Sequence, residues 1–513
     1  MKLFNNSFLF SVLIFFVQLV TAIIGSFSIC TWMVYKWTIR QFGSTLNFDQ
    51  ILWTLSYSTE GADPKLIKSA YLNVCLGIVF CIIWILLTFY FNHYSKFKSH
   101  CKQLLSIFNA LLRFIVKIVI FVKHLRFYSV FYAIVGLVLL FSVASFSLVS
   151  GLRLLDKNYH VMAYYENQKI GEKYDYYDQY YSVPSISEVS FRDKKNLVLV
   201  MGESLESNFN STVPLSSQLD KLAANGKSVK DMINSTGSTW TIGALTGWHF
   251  GLLLKLPVGG NEYYSKKGFL PNALSVFDIL KANRYKMVLM LGSNKAFSGK
   301  DSLFETHGNF EIYDIFYWMK HGWDLKKYQG SDWGYSDEFV FERAREKYLE
   351  LQKEGNPFVL IVETVDTHMT DGWCPKNKRI FNDIRDAYLE SDRQISSFIS
   401  FIQNNQNSSL ITGVIGDHLF MGEPICFKNI KRNIRNVFWG DLPDIPEEKK
   451  DQIICPVDVA PTILQAAGAE WKSSKFGLGT SIFSKDESLI QKLGPSLYNK
   501  YFSSPSKKYQ SFY

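Results

Sequence analysis

The sequence predicts an α/β fold, with N-terminal transmembrane helices followed by a domain built on a mostly parallel central sheet with helices on both faces. Two observations predict it. Long apolar runs crowd the chain before Leu152. Beyond Lys194, short and nearly continuous apolar runs alternate with helical patterns, the texture of parallel strands buried on both faces.

Three segments, residues 8–37, 70–91 and 127–152, read as membrane spans. Each holds about 20 or more largely apolar residues, enough to cross a ~30 Å hydrocarbon core. The first is too long for a cleaved signal peptide and shows no small-residue cleavage site. A mixed-charge loop with Asp49, Glu60, Asp63 and Lys65 separates the first two spans. The next loop carries Lys96, Lys98, Lys102, Arg113, Lys117, Lys123 and Arg126 without one acidic residue. The positive-inside rule assigns that loop to the cytoplasm, so the N-terminus is inside and everything after Leu152 is outside. Residues 104–122 are apolar but contain Arg113 and Lys117, and read as a helix lying on the inner surface. As a fourth span they would put the large domain in the cytoplasm or the N-terminus outside. The division is a transmembrane region (1–152), a tyrosine-rich linker (153–193) and an extracytoplasmic domain (194–513).

Part of the +9 formal charge lies beside the membrane segments, so nucleic acid is set aside as a partner. Four of the seven cysteines, Cys30, Cys75, Cys81 and Cys101, fall in or beside the membrane region. Cys374, Cys426 and Cys455 fall in the outer domain, which permits at most one disulfide there and leaves a thiol over. No CxxC pair points to a structural zinc. In the linker, Tyr164, Tyr165, Tyr176, Tyr177, Tyr180 and Tyr181 either sit at the headgroup level or pack on the domain surface.

Within the domain, "NLVLVMG" (196–202), "YKMVLMLG" (285–292), "PFVLIVETV" (357–365) and "SSLITGVIG" (408–416) read as strands. "SDEFVFERAREKYLELQKEG" (336–355) reads as a helix that ends on glycine. In an open α/β sheet the ligand lies beyond the carboxyl ends of the strands. There the sequence places Glu203; then Ser293, Asn294, Lys295, Lys300 and Asp301; then Asp366 and His368; and finally Asp417 and His418. One carboxylate after a strand is commonly a helix cap. Glu, Asp-x-His and Asp-His at three strand ends form a ligand set for one divalent metal ion, with Mn²⁺ favoured and Zn²⁺ or Mg²⁺ compatible.

A further segment, "NSTGSTWTIGALTGW" from Asn234, puts small hydroxyl residues before a helical start. A threonine there stands where helix N–H groups favour phosphate or sulfate, and metal coordination would activate its hydroxyl. The plain alternative is a helix-capping threonine with no chemistry. Glu206 reads as a solvated helix face and His249 as a packed side chain. His307 and Trp333 read as structural, with Trp333 near Asp337 also suited to lining a donor path. Asp371 and Trp373 are candidates for shaping an acceptor cleft.

"NLVLVMGESLES", "GSTWTIGAL", "FSGKD", "SDWGYSDE", "TVDTH", "GDHL" and "DVAPTIL" follow one another in that order between residues 196 and 483. Together they resemble the membrane-bound phosphoglycerol transferases of osmoregulated periplasmic glucans, of the alkaline phosphatase and sulfatase superfamily. Lipoteichoic acid synthases and lipid A phosphoethanolamine transferases are more distant relatives. The "FDQILWTLSYSTEGA" stretch (48–62) extends the resemblance loosely into the membrane region. The resemblance implies a sulfatase/alkaline-phosphatase-like domain on the periplasmic or extracellular side of a bacterial cytoplasmic (inner) membrane. It implies Glu203, Asp417 and His418 as metal ligands, Thr241 as the metal-bound nucleophile and His368 as a phosphate contact. Thr239 is the competing nucleophile if the alignment slips by two residues. Lys300 falls where lipoteichoic acid synthases carry a phosphate-binding arginine, and Asp366 and Trp333 join the substrate-binding set. No C/S-x-P-x-R signature is present, which argues against sulfatase activity, and no cysteine pair brackets Thr241.

The expected activity is transfer of phosphoglycerol from phosphatidylglycerol to a glycan or polyol acceptor through a phospho-threonine-type intermediate. Phosphoethanolamine transfer and lipoteichoic acid synthase-like polymerisation are alternatives on the same fold. A non-catalytic lipid-binding regulator is an alternative of another class, which the retained metal ligands weigh against. A transporter is disfavoured because the spans hold no Asp or Glu and no inverted repeat.

Overall fold

A computed structural model describes residues 2–42, 64–90, 127–168, 174–255, 268–369, 372–406, 409–422 and 424–513. The chain divides into two compact units, Met1–Arg40 with Lys68–Lys157, and Gln41–Ile67 with Asn158–Tyr513.

The first unit is built on three helices, Lys2–Phe42, Pro64–Tyr90 and Phe127–Tyr159. Within them, Phe15–Phe42, Pro64–Phe89 and Val135–Tyr159 are long and apolar enough to cross a membrane. They expose large apolar side chains such as Phe27, Leu86 and Phe146, which suits a hydrocarbon surrounding. Polar contacts join the helices: Ser28 Oγ to Ser147 Oγ at 2.8 Å, Gln18 Nε2 to the Thr88 carbonyl at 3.1 Å, and Trp84 Nε1 to the Thr21 carbonyl at 3.2 Å. Such bonds bind helices where no water competes. The 48–62 motif, the basic loop and the surface helix expected over 104–122 lie outside the described residues.

The second unit is organised by a six-stranded sheet. Its strands are β1 (Asn196–Gly202), β2 (Lys286–Leu291), β3 (Glu311–Tyr313), β4 (Phe358–Glu363), β5 (Leu410–Gly416) and β6 (Asn436–Trp439). The order is β3–β2–β4–β1–β5–β6. All pairs are parallel except β5–β6. The four apolar runs singled out in the sequence form β1, β2, β4 and β5; the short edge strands β3 and β6 are additional. Register brings the strand ends together, with Met201 opposite Glu363, Leu291 opposite Glu363 and Gly202 opposite Gly416.

Because strand side chains alternate, Leu197, Leu199, Met201, Leu289, Leu291, Val359 and Ile361 share one face. They form one apolar core with Ile242, Leu245 and Trp248 of the helix Thr241–Phe250 and with Leu303 and Phe304 of the helix Lys300–Thr306. Thr241 and Lys300 therefore begin helices packed on the same face. The helix Asp337–Glu354 has the expected ends, with Ser336 capping its first turn and Gly355 at φ 71° closing it.

Of the linker tyrosines, Tyr176, Tyr177, Tyr180 and Tyr181 pack on the domain, whereas Tyr165 and Tyr174 are exposed. Tyr176 stacks on Tyr501 with centroids 3.8 Å apart. Tyr177 is buried between Phe502 and Tyr509, and Tyr181 meets Phe512. Cys374, Cys426 and Cys455 are buried and unpaired by disulfide.

Candidate active site

The site starts at the turn that ends β1. Ser204 adopts φ 50°, a left-handed conformation that strains a serine by about 1 kcal/mol or more. Its backbone N–H donates to Asp417 Oδ1 at 2.8 Å, and its hydroxyl donates to Glu203 Oε1 at 2.6 Å. The turn thus ties the end of β1 to the end of β5. The Glu203 N–H donates to Thr364 Oγ1 at 2.9 Å, and the Thr367 hydroxyl donates to the Glu203 carbonyl. The segment after β4 is held to the same residue.

Asp417 accepts a second bond from the His418 N–H at 2.7 Å, again on Oδ1. His418 Nδ1 donates to the Leu419 carbonyl at 2.8 Å. A carbonyl only accepts, so the proton sits on Nδ1 and the Nε2 lone pair is free. That Nε2 lies 3.3 Å from Asp417 Oδ2 and 3.7 Å from Glu203 Oε1. Asp417 Oδ2 and His418 Nε2 are both buried, and neither makes a hydrogen bond. Burial pulls the Glu203 carboxyl upward, but the imidazoles of His368 and His418, the Ser204 hydroxyl and Lys300 outweigh it and hold it below its ordinary value. Burial and then the Glu203 charge push the Asp417 carboxyl well above the carboxylate range.

Among the described residues, Glu203, Asp417 and His418 form the one cluster whose ligand atoms all lie within 4.8 Å of one another. Two carboxylates and an imidazole, with two buried polar atoms left unsatisfied, fit a divalent cation of the Mn²⁺ or Zn²⁺ kind. The Thr241 hydroxyl donates to Glu203 Oε2 at 3.2 Å. Trp240, not Thr241, occupies the capping position of the helix. The Thr241 hydroxyl is therefore directed at the cluster rather than at its own helix. Thr239 lies buried two residues earlier.

The remaining candidates are distributed around this cluster. His368 donates from Nδ1 to the Met369 carbonyl at 2.9 Å, which likewise leaves Nε2 free. Its ring lies 4.4 Å from that of Trp333, which packs in turn on Phe297. Trp333 therefore sets the orientation of His368. Lys300 is buried and forms an ion pair with Glu363, with Ser293 Oγ 3.5 Å away. Asp366 is engaged away from the cluster: its Oδ2 accepts from the Asp337 N–H at 2.8 Å. The Asp337 carboxylate reciprocates by accepting from the N–H groups of Val365 and Asp366. Burial pushes Asp337 up to about 7. Asp366 rises well above its ordinary value through burial and then the Asp337 charge. The pair stitches the helix start at Asp337 to the loop carrying His368. Trp373 donates its N–H to the Asp366 carbonyl at 2.6 Å; Asp371 lies outside the described residues.

One expectation is overturned. Glu206 is not on a solvated helix face but fully buried, and residues 203–216, which lead out of β1, are not helical. It pairs with Arg432 and accepts from the Phe420 N–H at 2.9 Å. Sequence reasoning also passes over Ser204, Thr364, Thr367 and Glu363. A hydroxyl next to a strand-end carboxylate was the available signal for Ser204, and a charge inside an apolar run was the signal for Glu363. His249 and His307 are structural, as read. The first is packed among Phe277, Phe304 and Phe250; the second is bonded to Asp278 and the Phe269 carbonyl.

This sheet, with its strand-end carboxylate and imidazole cluster, agrees with what comparison finds. The family profile described as Sulfatase matches residues 195–469, and the chain belongs to the sulfatase family. Phosphoglycerol transferase I of Xanthomonas campestris pv. campestris (strain B100) is 29% identical over 322 residues, covering 60% of this chain and 45% of that protein. Phosphoglycerol transferase I of Shigella flexneri is 30% identical over 309 residues, covering 57% of this chain and 39% of that protein. The chain thus spans less than half the length of these curated relatives. Among solved structures, the lipoteichoic acid synthase LtaP from Listeria monocytogenes aligns at a TM-score of 0.47 and 17% identity, covering 64% of this chain and 95% of that one.

Proposed function

We propose that this chain is a membrane-anchored transferase that moves phosphoglycerol from phosphatidylglycerol to a glycan acceptor, with Thr241 as its nucleophile. The observation that carries the reading is the Thr241 hydroxyl 3.2 Å from Glu203 in a buried Glu203–Asp417–His418 cluster. A divalent cation held by those three residues would lower the pKa of the threonine hydroxyl and offset charge on the phosphoryl oxygens. The Thr241 oxygen attacks the donor phosphorus, and the bond to diacylglycerol breaks as the threonine ester forms. An acceptor hydroxyl then attacks the same phosphorus and releases Thr241. Two steps let donor and acceptor use one site in turn. The N–H groups of the first turn after Thr241 and the Nε2 of His368 are suited to the phosphoryl oxygens. Phosphoglycerol as the transferred group has support from the relatives' names. Three helices of spanning length and a lipid donor fit one another, since an anchor in the bilayer raises the local donor concentration. In this reading the domain works on the outer side of the cytoplasmic membrane.

The test incubates the full chain with Mn²⁺ and labelled phosphatidylglycerol or phosphatidylethanolamine, then identifies the mass added to the peptide containing Thr241. Phosphoglycerol on Thr241, lost in Thr241→Ala and retained in Thr239→Ala, is expected. Undiminished transfer by Thr241→Ala would sink the reading.

A further inference from the structure

The Lys300–Glu363 pair has no part in the chemistry above. Both side chains are only 5% exposed. Glu363 is the last residue of β4, beside Met201 and Leu291. Its alternation with Val359 and Ile361 puts it on the sheet face where the helices beginning at Thr241 and Lys300 pack. The next residue, Thr364, accepts the backbone N–H of Glu203. One Glu363 oxygen takes the Lys300 ammonium; the other, Oε2, is buried with no hydrogen-bond partner. A fixed carboxylate therefore stands beside the metal cluster with one oxygen unsatisfied, although two further carboxylates already occupy the site.

We propose that Glu363 sets the charge of the phosphoryl pocket and so selects a phosphodiester over a phosphate monoester. The proposal rests on the phosphoryl-transfer reading above. A diester carries one negative charge, while a monoester approaches two at neutral pH. By matching Lys300, Glu363 removes one unit of positive charge from the pocket wall. The lost unit is worth little to a monoanion that other groups already neutralise. It is worth more to a dianion, whose second charge is then left without a matching cation. Removing the carboxylate charge should favour the monoester by about tenfold, the scale of one unit charge at several ångströms in a partly screened site.

The experiment compares the full chain, loaded with Mn²⁺, on bis(p-nitrophenyl) phosphate and p-nitrophenyl phosphate. Glu363→Gln is expected to raise the monoester-to-diester ratio of kcat/KM by about tenfold, with Glu363→Asp close to wild type. Thermal-shift titrations with inorganic phosphate and dimethyl phosphate should show the same change in relative affinity without turnover. If Glu363→Gln fails to fold, Lys300→Met/Glu363→Leu replaces it: the net charge is unchanged, so the ratio should stay near wild type while total activity falls. A tenfold change in the ratio in that double variant overturns the proposal. So does an unchanged ratio in folded, active Glu363→Gln. Wild-type protein that cleaves neither compound overturns the transferase reading and this proposal with it.

Discussion

Arg432→Met should be among the most damaging single substitutions outside the metal cluster. Arg432 donates from Nε to Glu206 Oε2 at 3.0 Å and from Nη2 to Glu206 Oε1. It also donates to the Phe420 carbonyl at 2.8 Å and lies over the Phe427 ring at 4.4 Å. Glu206 in turn holds the Phe420 N–H. The pair clamps residues 420–422 just beyond Asp417 and His418, and Glu206 is completely excluded from solvent. Deleting the guanidinium strands a buried carboxylate, which costs about 3–5 kcal/mol. For a unit of this size that lowers Tm by roughly 5 °C. Glu206→Leu/Arg432→Met removes the stranded charge and should regain most of the loss, because an apolar pair can replace a buried ion pair. Metal affinity should behave differently. If the clamp positions the His418 loop, both the single and the double variant should bind Mn²⁺ about 10–100-fold more weakly, as with other supporting shells of metal ligands. Thermal unfolding of the full chain in detergent, with and without Mn²⁺, reads the first effect; isothermal titration reads the second. A Tm change under 3 °C in Arg432→Met, or full metal affinity in the double variant, refutes the reasoning.

Two other outcomes follow from buried charges. Chelation should lower Tm, because it removes the cation that would offset the buried Asp417 beside the Glu203 charge and leaves the Asp417 carboxyl raised well above its ordinary value by burial and then by Glu203. In chelated protein Asp417→Asn should melt higher than wild type, while Mn²⁺ no longer stabilises it. His249 is held well below its ordinary value by burial and then by His307. The unfolded chain therefore takes up this proton first. The stability from a neutral His249 is complete above about pH 6.5 and is lost as pH falls below that. His249→Phe should reduce the fall in unfolding free energy between pH 6.5 and 5.5 by on the order of 1 kcal/mol. An unchanged acid slope would contradict this.

The buried strands β1, β2, β4 and β5 were legible because parallel strands covered on both faces carry no polar alternation. Strand β3 spans Glu311–Tyr313 and β6 spans Asn436–Trp439, too few residues for periodicity to show. Glu203, Asp417 and His418 were legible because each follows an apolar run directly. Glu206 was misread for a physical reason. Its charge is matched by Arg432, 226 positions away, and nothing in the local pattern distinguishes a paired buried carboxylate from a solvated one. Glu363 was obscured in the same way, inside a strand and compensated by Lys300 at the start of a helix. Asp366 was picked out by its place after β4, yet its carboxylate turned out to serve Asp337.

The three buried thiols make the second unit a reporter on its own opening. Burial pushes Cys374 up to about 11 and Cys426 up to about 12, and raises Cys455 further. At neutral pH they are hidden and protonated, the form that reacts least. Alkylation of native protein therefore counts excursions in which the covering structure lifts away. The positions sample different regions: Cys374 near the His368 loop, Cys426 just past the clamped segment, and Cys455 close to Tyr498 at the C-terminal helices. Labelling rates resolved by peptide would show whether the metal-site loops open on their own or only with the whole unit.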